Sequence, residues 1–207
     1  MPGPLPRTTK FRDRTYAAFL FDMDGTILNS SAVVERVWRA WARRHDVDEN
    51  QLLAAVHGVR SEDTIRRFGP VGTDVAAEVA WVLEAELSDI EGVFPIAGIR
   101  DFASTLDPAS WAVVTSAPRS LAVLRIQSVG LPAPKTMIAA EDVVQGKPHP
   151  EGFLKAAAVL GVPISDCLIF EDSPAGIAAA KAAGAHVAIV GGLEPAGERT
   201  FIIADYR

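Results

Sequence analysis

Short hydrophobic runs recur along the chain, separated by polar or glycine-containing segments. Runs of strand length occupy residues 16–21, 111–115, 136–139, 167–170 and 185–190. The segments 118–129, 150–160 and 174–183, which lie between the later runs, repeat their apolar residues at helical spacing. Short strands that alternate with helices are typical of βαβ units. The pattern therefore predicts an α/β fold with a mainly parallel sheet.

The segment 31–92 departs from this alternation. Its apolar residues recur at helical spacing, as at Val33, Val37 and Trp41, and none of its runs reads as a strand. We therefore expect a helical insertion between the first strand and the rest of the sheet.

This pattern divides the chain into two predicted domains. Residues 16–30 and 95–207 are expected to form a discontinuous catalytic core, and residues 31–94 a small helical cap domain. Residues 1–15 are polar and contain prolines, without the apolar stretch of a signal peptide, so we expect a loose N-terminal lead-in.

Two aspartates follow the first predicted strand at the point where it ends. Asp22 and Asp24 are separated by one residue and are followed by Gly25, which permits a tight turn. Ligands of open α/β sheets bind beyond the carboxyl ends of the strands. Two carboxylates placed there repel each other unless a cation or a proton lies between them. Taken alone, these residues could equally form an Asp-Gly turn that only closes the strand.

Later segments add groups that can bind a phosphoryl group. Thr115 and Ser116 end the second predicted strand, where a hydroxyl and free backbone N–H groups could hold phosphoryl oxygens, or could simply cap the following helix. Lys147 lies in a stiff loop of glycine and proline residues. A fixed ammonium group stabilises charge beside a phosphoryl group that is being transferred, although most lysines are solvated surface charges.

A further acidic pair follows the buried run at 167–170. Glu171 and Asp172 come directly before a predicted helix start. Asp172 could be an ordinary neighbour of the helix cap, but a third carboxylate at this sheet edge fits a Mg²⁺ site better, because magnesium prefers a few hard oxygen ligands and water.

Composition narrows the possible partners. The 207 residues are 49% hydrophobic and 22% charged, which is a globular balance. The net charge of −6 disfavours a nucleic-acid partner, and no apolar stretch is long enough to span a membrane. The single cysteine, Cys167, excludes an intrachain disulfide and fits a cytoplasmic location. A monomer is compatible with these features, and the oligomeric state stays open.

The string Asp22-Met23-Asp24-Gly25-Thr26, followed by Thr115, Lys147 and the pair Glu171-Asp172, resembles the four-motif signature of the haloacid dehalogenase superfamily. The resemblance implies a Rossmann-like core with a helical cap inserted after the first strand. It further implies that Asp22 is a nucleophile that becomes an aspartyl-phosphate and that Asp24 is the general acid and base.

The same resemblance assigns the other site residues. It implies that Thr115, Lys147 and the backbone of Ser116 hold the phosphoryl oxygens. It also implies that Mg²⁺ is bound by Asp22, by the backbone carbonyl of Asp24 and by Asp172, with Glu171 nearby.

Within the superfamily, single positions distinguish the branches. Asp24 favours phosphoryl chemistry over dehalogenation, and Val34 stands where the β-phosphoglucomutases carry a cap histidine. The segment 57–65 is similar to the cap loop of glycerol-3-phosphate and sugar-phosphate phosphatases, in which His57 and Arg60 would contact substrate. An exposed helix connection is the alternative interpretation of that loop.

We therefore expect a cytoplasmic, Mg²⁺-dependent phosphatase that acts on a small phosphorylated sugar or polyol. The alternatives are a β-phosphoglucomutase-like hexose-phosphate mutase and a non-catalytic binding relative that retains the fold.

Overall fold

The computed structural model describes residues 8–193 and 195–207, and the elements named below lie within them. The strands are β1 (Thr9–Phe11), β2 (Arg14–Tyr16), β3 (Ala18–Phe21), β4 (Leu28–Asn29), β5 (Phe94–Pro95), β6 (Trp111–Val114), β7 (Thr136–Ile138), β8 (Cys167–Glu171), β9 (His186–Val190) and β10 (Thr200–Ile203). The α-helices are α1 (Ser31–His45), α2 (Glu49–Val56), α3 (Ser61–Phe68), α4 (Val75–Leu87), α5 (Ile99–Ser104), α6 (Arg119–Ser128), α7 (Glu151–Leu160) and α8 (Pro174–Ala183).

A parallel sheet of six strands, in the order β10-β9-β8-β3-β6-β7, forms the centre of the core. The predicted α/β fold with a Rossmann-like parallel sheet is confirmed. β3 lies between β8 and β6, so the segments that follow these three strands meet at one edge of the sheet. The predicted strands all occur, whereas β10 was not predicted, although three of its four residues are apolar.

Both faces of this sheet are buried, as expected for parallel strands covered by helices. Phe19 and Phe21 of β3 point into an aromatic cluster that includes Phe170, whereas Leu20 points into the opposite cluster with Ile169. The alternation follows from the two-residue period of a strand. Burial of both faces fixes the register of β3 against β8 and thereby the positions of the residues that follow them.

The insertion consists of four helices, α1 to α4, between residues 31 and 87. The predicted helical stripe is buried within it, and Val33, Val37 and Trp41 share a cluster with Leu52 and Val82 that is separate from both sheet clusters. A short antiparallel pair, β4 with β5, joins the two ends of the insertion to the core. Sequence patterns could not indicate this pair, because each strand has two residues and its partner is distant in the chain.

The expectation of a loose lead-in is wrong for the part of it that the structure describes, and residues 1–7 lie outside the described residues. β1 and β2 form an antiparallel hairpin. Phe11 holds the hairpin to the core, because its ring lies edge-on to Phe170 with 5.3 Å between the ring centroids. None of the helices in the described part of the chain combines the length and apolar character that a bilayer crossing requires.

Candidate active site

The carboxyl ends of β3 and β8 bring the predicted acidic residues together. The backbone N–H of Asp22 donates to the carbonyl of Phe170 at 2.9 Å, so Asp22 lies beside the end of β8. Carboxylate oxygens of Asp22, Glu171 and Asp172 lie within 4.8 Å of one another. Gly25 permits this arrangement, since it has a φ of +87° and a Cβ there would lie 1.9 Å from Oδ2 of Asp172.

Lys147 is the cation within this acidic cluster. Its Nζ donates to Oδ1 of Asp22 and, at 2.6 Å, to Oε1 of Glu171. All three side chains are buried, and Lys147 exposes 7% of its surface. The sequence-based expectation that Lys147 is held in place rather than solvated therefore agrees with its position.

Glu171 is fixed by the start of α8. Its Oε2 accepts hydrogen bonds from the backbone N–H groups of Asp172 at 2.8 Å and Ser173 at 2.9 Å, and from the hydroxyl of Ser173 at 3.1 Å. Helix N-termini favour negative charge because their N–H groups lack partners within the helix. The carboxylate therefore orients Lys147 towards Asp22 from a rigid support.

Burial determines the electrostatics of the cluster. It raises the pKa of Asp22 well above its ordinary range; Lys147 opposes this rise, and the carboxylates of Glu171 and Asp172 add to it. Burial, followed by the charge of Glu171, raises the pKa of Asp172 to about 7. Burial also disfavours the charged form of Lys147, but Asp22 and Glu171 offset this effect and raise its pKa above its usual range. The cluster as it stands has more negative than positive charge.

This donor set fits a hard divalent cation. The three carboxylates offer the oxygen ligands that Mg²⁺ prefers, and burial, together with repulsion from neighbouring carboxylates, raises the pKa values of Asp22 and Asp172. Glu171 already accepts hydrogen bonds on both oxygens, so Asp22 and Asp172 are the carboxylates better placed to bind metal. Thr26 orients Asp172 by donating to its Oδ1 at 2.8 Å.

Asp24 lies on the other side of Asp22 and faces a cavity of about 80 Å³ between the core and the insertion. Its Oδ1 accepts from the hydroxyl of Ser30 at 2.5 Å and from Nη1 of Arg125 at 2.9 Å. Asp22, Asp172, Thr115 and Ser116 line the same cavity, so the predicted chemical groups do converge there.

Thr115 and Ser116, the two hydroxyl residues after β6, make different hydrogen bonds. Thr115 is buried, and its Oγ1 accepts from the backbone N–H of Ala117 at 3.0 Å, as in a turn cap. The Ser116 hydroxyl donates to the carbonyl of Gly58 in the insertion at 2.9 Å. That side chain is therefore used in a contact between the core and the insertion, which we call the two lobes. The backbone N–H of Ser116 is the group of this residue that is best suited to bind a phosphoryl oxygen.

His57 and Arg60, the two residues of the insertion that are predicted to contact substrate, lie in different surroundings. His57 lines the cavity with Asp22 and Asp24, whereas Arg60 does not line it. The guanidinium of Arg60 donates to both carboxylate oxygens of Asp63, at 2.8 and 3.1 Å, and to the carbonyl of Val143 at 3.3 Å. The substrate contact of Arg60 stays a prediction: in this structure its donors are engaged, and it joins the insertion to the loop before Lys147.

Two charged residues of the cavity wall were not predicted. Arg125 on α6 and Glu86 on α4 are both buried, with Nη2 of Arg125 3.5 Å from Oε1 of Glu86. Burial raises the pKa of Glu86 to about 7, with Arg125 opposing the rise and Asp24 adding to it. No sequence signal could indicate this pair, since each residue reads as an ordinary polar position on a helix.

Comparisons with known proteins agree with this geometry. A family model described as haloacid dehalogenase-like hydrolase matches residues 16–184. Hexitol phosphatase A of Escherichia coli (strain K12) is 40% identical over 176 residues, covering 83% of this chain and 82% of that protein. Glycerol-1-phosphate phosphohydrolase 2 of Saccharomyces cerevisiae is 36% identical over 197 residues, covering 87% and 76%.

Among solved structures, a β-phosphoglucomutase from Clostridium difficile superposes with a TM-score of 0.80 at 20% identity, and the alignment covers 91% of each chain. At that identity the similarity supports the fold alone.

Gly176 on α8 generates the first prediction, because a Cβ at this position would lie 1.6 Å from Oε1 of Glu171. We expect Gly176→Ala to displace the Glu171 carboxylate and with it Lys147, lowering kcat/KM by on the order of 100-fold. The control is Gly152→Ala on α7, whose Cβ would meet only apolar side chains, the nearest being Val114 at 3.0 Å. Phosphatase kinetics and thermal melts of both variants test this; wild-type activity in Gly176→Ala would contradict it.

Proposed function

The chain belongs to the haloacid dehalogenase-like hydrolase family, and on that premise we propose that it is a Mg²⁺-dependent phosphatase that hydrolyses a small phosphorylated sugar or polyol through an aspartyl-phosphate intermediate. It is a phosphoric monoester hydrolase, as its relatives are named phosphatases. The observation that carries the mechanism is the buried Asp22, paired with Lys147 and facing the same cavity as Asp24.

Asp22 is the proposed nucleophile. A carboxylate oxygen attacks phosphorus, the bond between phosphorus and the leaving oxygen breaks, and Asp24 gives its proton to that oxygen. Asp24 then takes a proton from water, which attacks phosphorus and breaks its bond to Asp22, releasing inorganic phosphate. Division into two steps lowers each barrier. Ser30 and Arg125 both donate to Oδ1 of Asp24, which leaves Oδ2 to carry the proton.

The groups around Asp22 stabilise the transferred phosphoryl group. We assign its oxygens to the Thr115 hydroxyl, to the backbone N–H of Ser116 and to the ammonium of Lys147. Lys147 also favours the ionised form of Asp22 and so opposes the rise in the pKa of Asp22 that burial causes. A preorganised charge of this kind acts where charge develops in the transition state.

Asp22, the backbone carbonyl of Asp24 and Asp172 are the proposed metal ligands, with Glu171 nearby. Bound Mg²⁺ supplies positive charge that reduces the repulsion between the phosphate and the carboxylate that attacks it. Glu171 supports this site indirectly by orienting Lys147.

We propose that residues 31–94 act as a cap that covers the core formed by 16–30 and 95–207. The helices of the cap have their own hydrophobic cluster, and the cavity lies between the two lobes. His57 would then contact the leaving group from the cap side. The names of the relatives support phosphorylated polyols as the substrate class, and we place the reaction in the cytoplasm.

A hexose-phosphate mutase is the nearest alternative on this fold. Its cap would need a group that exchanges a proton with a sugar hydroxyl. Val34 lines the cavity from α1 and offers only an apolar side chain. This observation favours hydrolysis.

The proposed function is tested by phosphate release over a panel of phosphorylated sugars and polyols, with Asp22→Asn as the paired variant. We expect the wild type to release phosphate fastest from polyol or sugar phosphates, and Asp22→Asn to release almost none. The melting temperature should change little, because the substitution removes one of three mutually repelling carboxylates but also one of the two partners of Lys147, which keeps Glu171. Appreciable turnover by Asp22→Asn would contradict the covalent mechanism, and formation of a sugar isomer would indicate a mutase.

Metal dependence is tested through both activity and stability. We expect EDTA to abolish activity and Mg²⁺ to restore it, whereas Ca²⁺ should inhibit because its coordination is larger and looser. Mg²⁺ at about 100 times its Kd should raise the melting temperature by roughly 5–10 °C, because it binds only the folded cluster.

Asp172→Ala should lose both the activity that Mg²⁺ restores and the rise in melting temperature that Mg²⁺ causes. The matched control is Asp166→Ala, an exposed carboxylate next to the opposite end of β8. Full activity in metal-free buffer, or equal Mg²⁺ responses in the two variants, would exclude this site.

Lys147 is tested by Lys147→Ala and Lys147→Arg. We expect the alanine variant to lose on the order of 100-fold or more in kcat/KM. The arginine variant should recover only part of it, because a planar fork replaces a compact charge. Lys155→Ala serves as control, since Lys155 is an exposed lysine on α7 paired with Glu151. An alanine variant within a few-fold of wild type would place Lys147 outside the chemistry.

A further inference from the structure

Arg125 and Glu86 are buried charged residues that the phosphoryl chemistry does not require. Arg125 exposes 2% of its surface and Glu86 6%, and both line the cavity that contains Asp24. They come from different lobes, Arg125 from the core helix α6 and Glu86 from the cap helix α4. Buried charges are retained only when they are paired and hydrogen-bonded. The hydrogen-bond partners of Arg125 and Glu86 therefore have to be identified.

The hydrogen bonds of this pair are incomplete. Nη1 of Arg125 donates to Asp24 at 2.9 Å. Among the residues that the structure describes, neither Nε nor Nη2 has a hydrogen-bond partner. Nη2 faces Oε1 of Glu86 at 3.5 Å, which is an ionic contact but not a good hydrogen bond. Unpaired buried donors beside an acidic group are typical of a site that is completed by a ligand.

The two charges together select one kind of ligand group. A hydroxyl accepts a hydrogen bond from a guanidinium and at the same time donates one to a carboxylate. A second phosphate would be repelled by Glu86, and an ammonium group by Arg125. An apolar group would leave both side chains desolvated and unpaired. A neutral hydroxyl is therefore the group that this pair accommodates.

The position of the pair identifies which hydroxyl it would meet. Asp24 protonates the leaving oxygen in the proposed reaction, and Arg125 contacts Asp24 directly. The Arg125 guanidinium consequently lies beside the residue that would meet the leaving alcohol. We propose that Arg125 and Glu86 form a subsite that binds a hydroxyl group of the leaving alcohol, on a carbon close to the phosphoester. This inference rests on the proposed function, because it concerns the alcohol released by the same reaction.

The subsite requires a hydroxyl group on the leaving alcohol, which phosphatase chemistry alone does not require. A polyol or sugar brings the hydroxyl with it, whereas a simple alkyl phosphate does not. Because Glu86 belongs to the cap and Arg125 to the core, the hydroxyl also bridges the two lobes. Substrate recognition would therefore favour the closed arrangement in which Asp24 faces the leaving oxygen.

The test compares glycerol 1-phosphate with n-propyl phosphate, which has the same carbon chain without the free hydroxyls. Wild-type kcat/KM should be on the order of 100-fold or more higher for glycerol 1-phosphate, because the deoxygenated analogue leaves buried polar groups unpaired. Glu86→Gln should lower kcat/KM for glycerol 1-phosphate about 10-fold and Glu86→Leu on the order of 100-fold. Both variants should lower kcat/KM for n-propyl phosphate by a clearly smaller factor than for glycerol 1-phosphate, because n-propyl phosphate has no free hydroxyl for Glu86 to bind. Glu84→Gln, on the exposed side of the same helix, should match the wild type on both substrates.

The outcomes separate this inference from the proposed function. Equal losses on both substrates, with a lower melting temperature, would show that Glu86 and Arg125 only join the lobes, and would overturn the subsite. No loss on either substrate would overturn it as well. The comparison of substrates in the wild type needs no variant, so equal kcat/KM values for the two substrates would overturn the subsite even if the Glu86 variants do not fold. A wild type that hydrolyses other phosphate esters but no polyol or sugar phosphate would refute the proposed substrate class, before any variant is made.

Discussion

The site depends on one buried ammonium group. Lys147 lies between Asp22 and Glu171, and burial alone would drive the nucleophilic carboxylate to its protonated, unreactive form. Removal of one partner from a buried ion pair is costly, so each member holds the others in place. Glu171 in turn is fixed by the N-terminus of α8. The sheet thus supplies positions, and the helix start supplies the orientation of the charge that favours the ionised form of Asp22.

The contacts between core and cap are few and polar in character. Ser116 donates to Gly58, Arg60 donates to Val143, and Arg125 faces Glu86. The apolar clusters of the sheet and of the cap are separate, so closure of the lobes does not require one continuous core. Arg60 belongs to this set, because its guanidinium serves the joint between the lobes and not the cavity. In the proposed reaction, chemistry and recognition are consequently divided: the strand ends would hold the phosphoryl group, and the contact region between the core and the cap would surround the alcohol.

The proposed subsite connects these two parts. Arg125 donates through Nη1 to Asp24, the proposed general acid, and among the described residues its Nε and Nη2 have no hydrogen-bond partner. Glu86 closes the contact region from the cap side. An alcohol that satisfies both would bring its leaving oxygen to Asp24, so the recognition of a hydroxyl and the delivery of a proton would use the same guanidinium. Preorganisation of this kind converts binding of the remote part of a substrate into correct positioning at the reacting atoms.

The chemical centre could be read from the sequence because parallel strands carry their carboxyl ends to one edge. Once residues 18–21 and 167–171 are strands, Asp22 and Asp172 must be neighbours, and the buried alternation of apolar residues sets that register. Helical spacing likewise identified the insertion through Val33, Val37 and Trp41. The contacts between the core and the cap could not be predicted from the sequence in this way. Which faces of α3, α4 and α6 meet depends on how two separately packed lobes come together, and no local period encodes that arrangement. Arg60 therefore appeared as a substrate contact while Glu86 and Arg125 gave no signal; only the tertiary structure decided that Arg60 joins the insertion to the core, whereas Glu86 and Arg125 line the cavity beside Asp24.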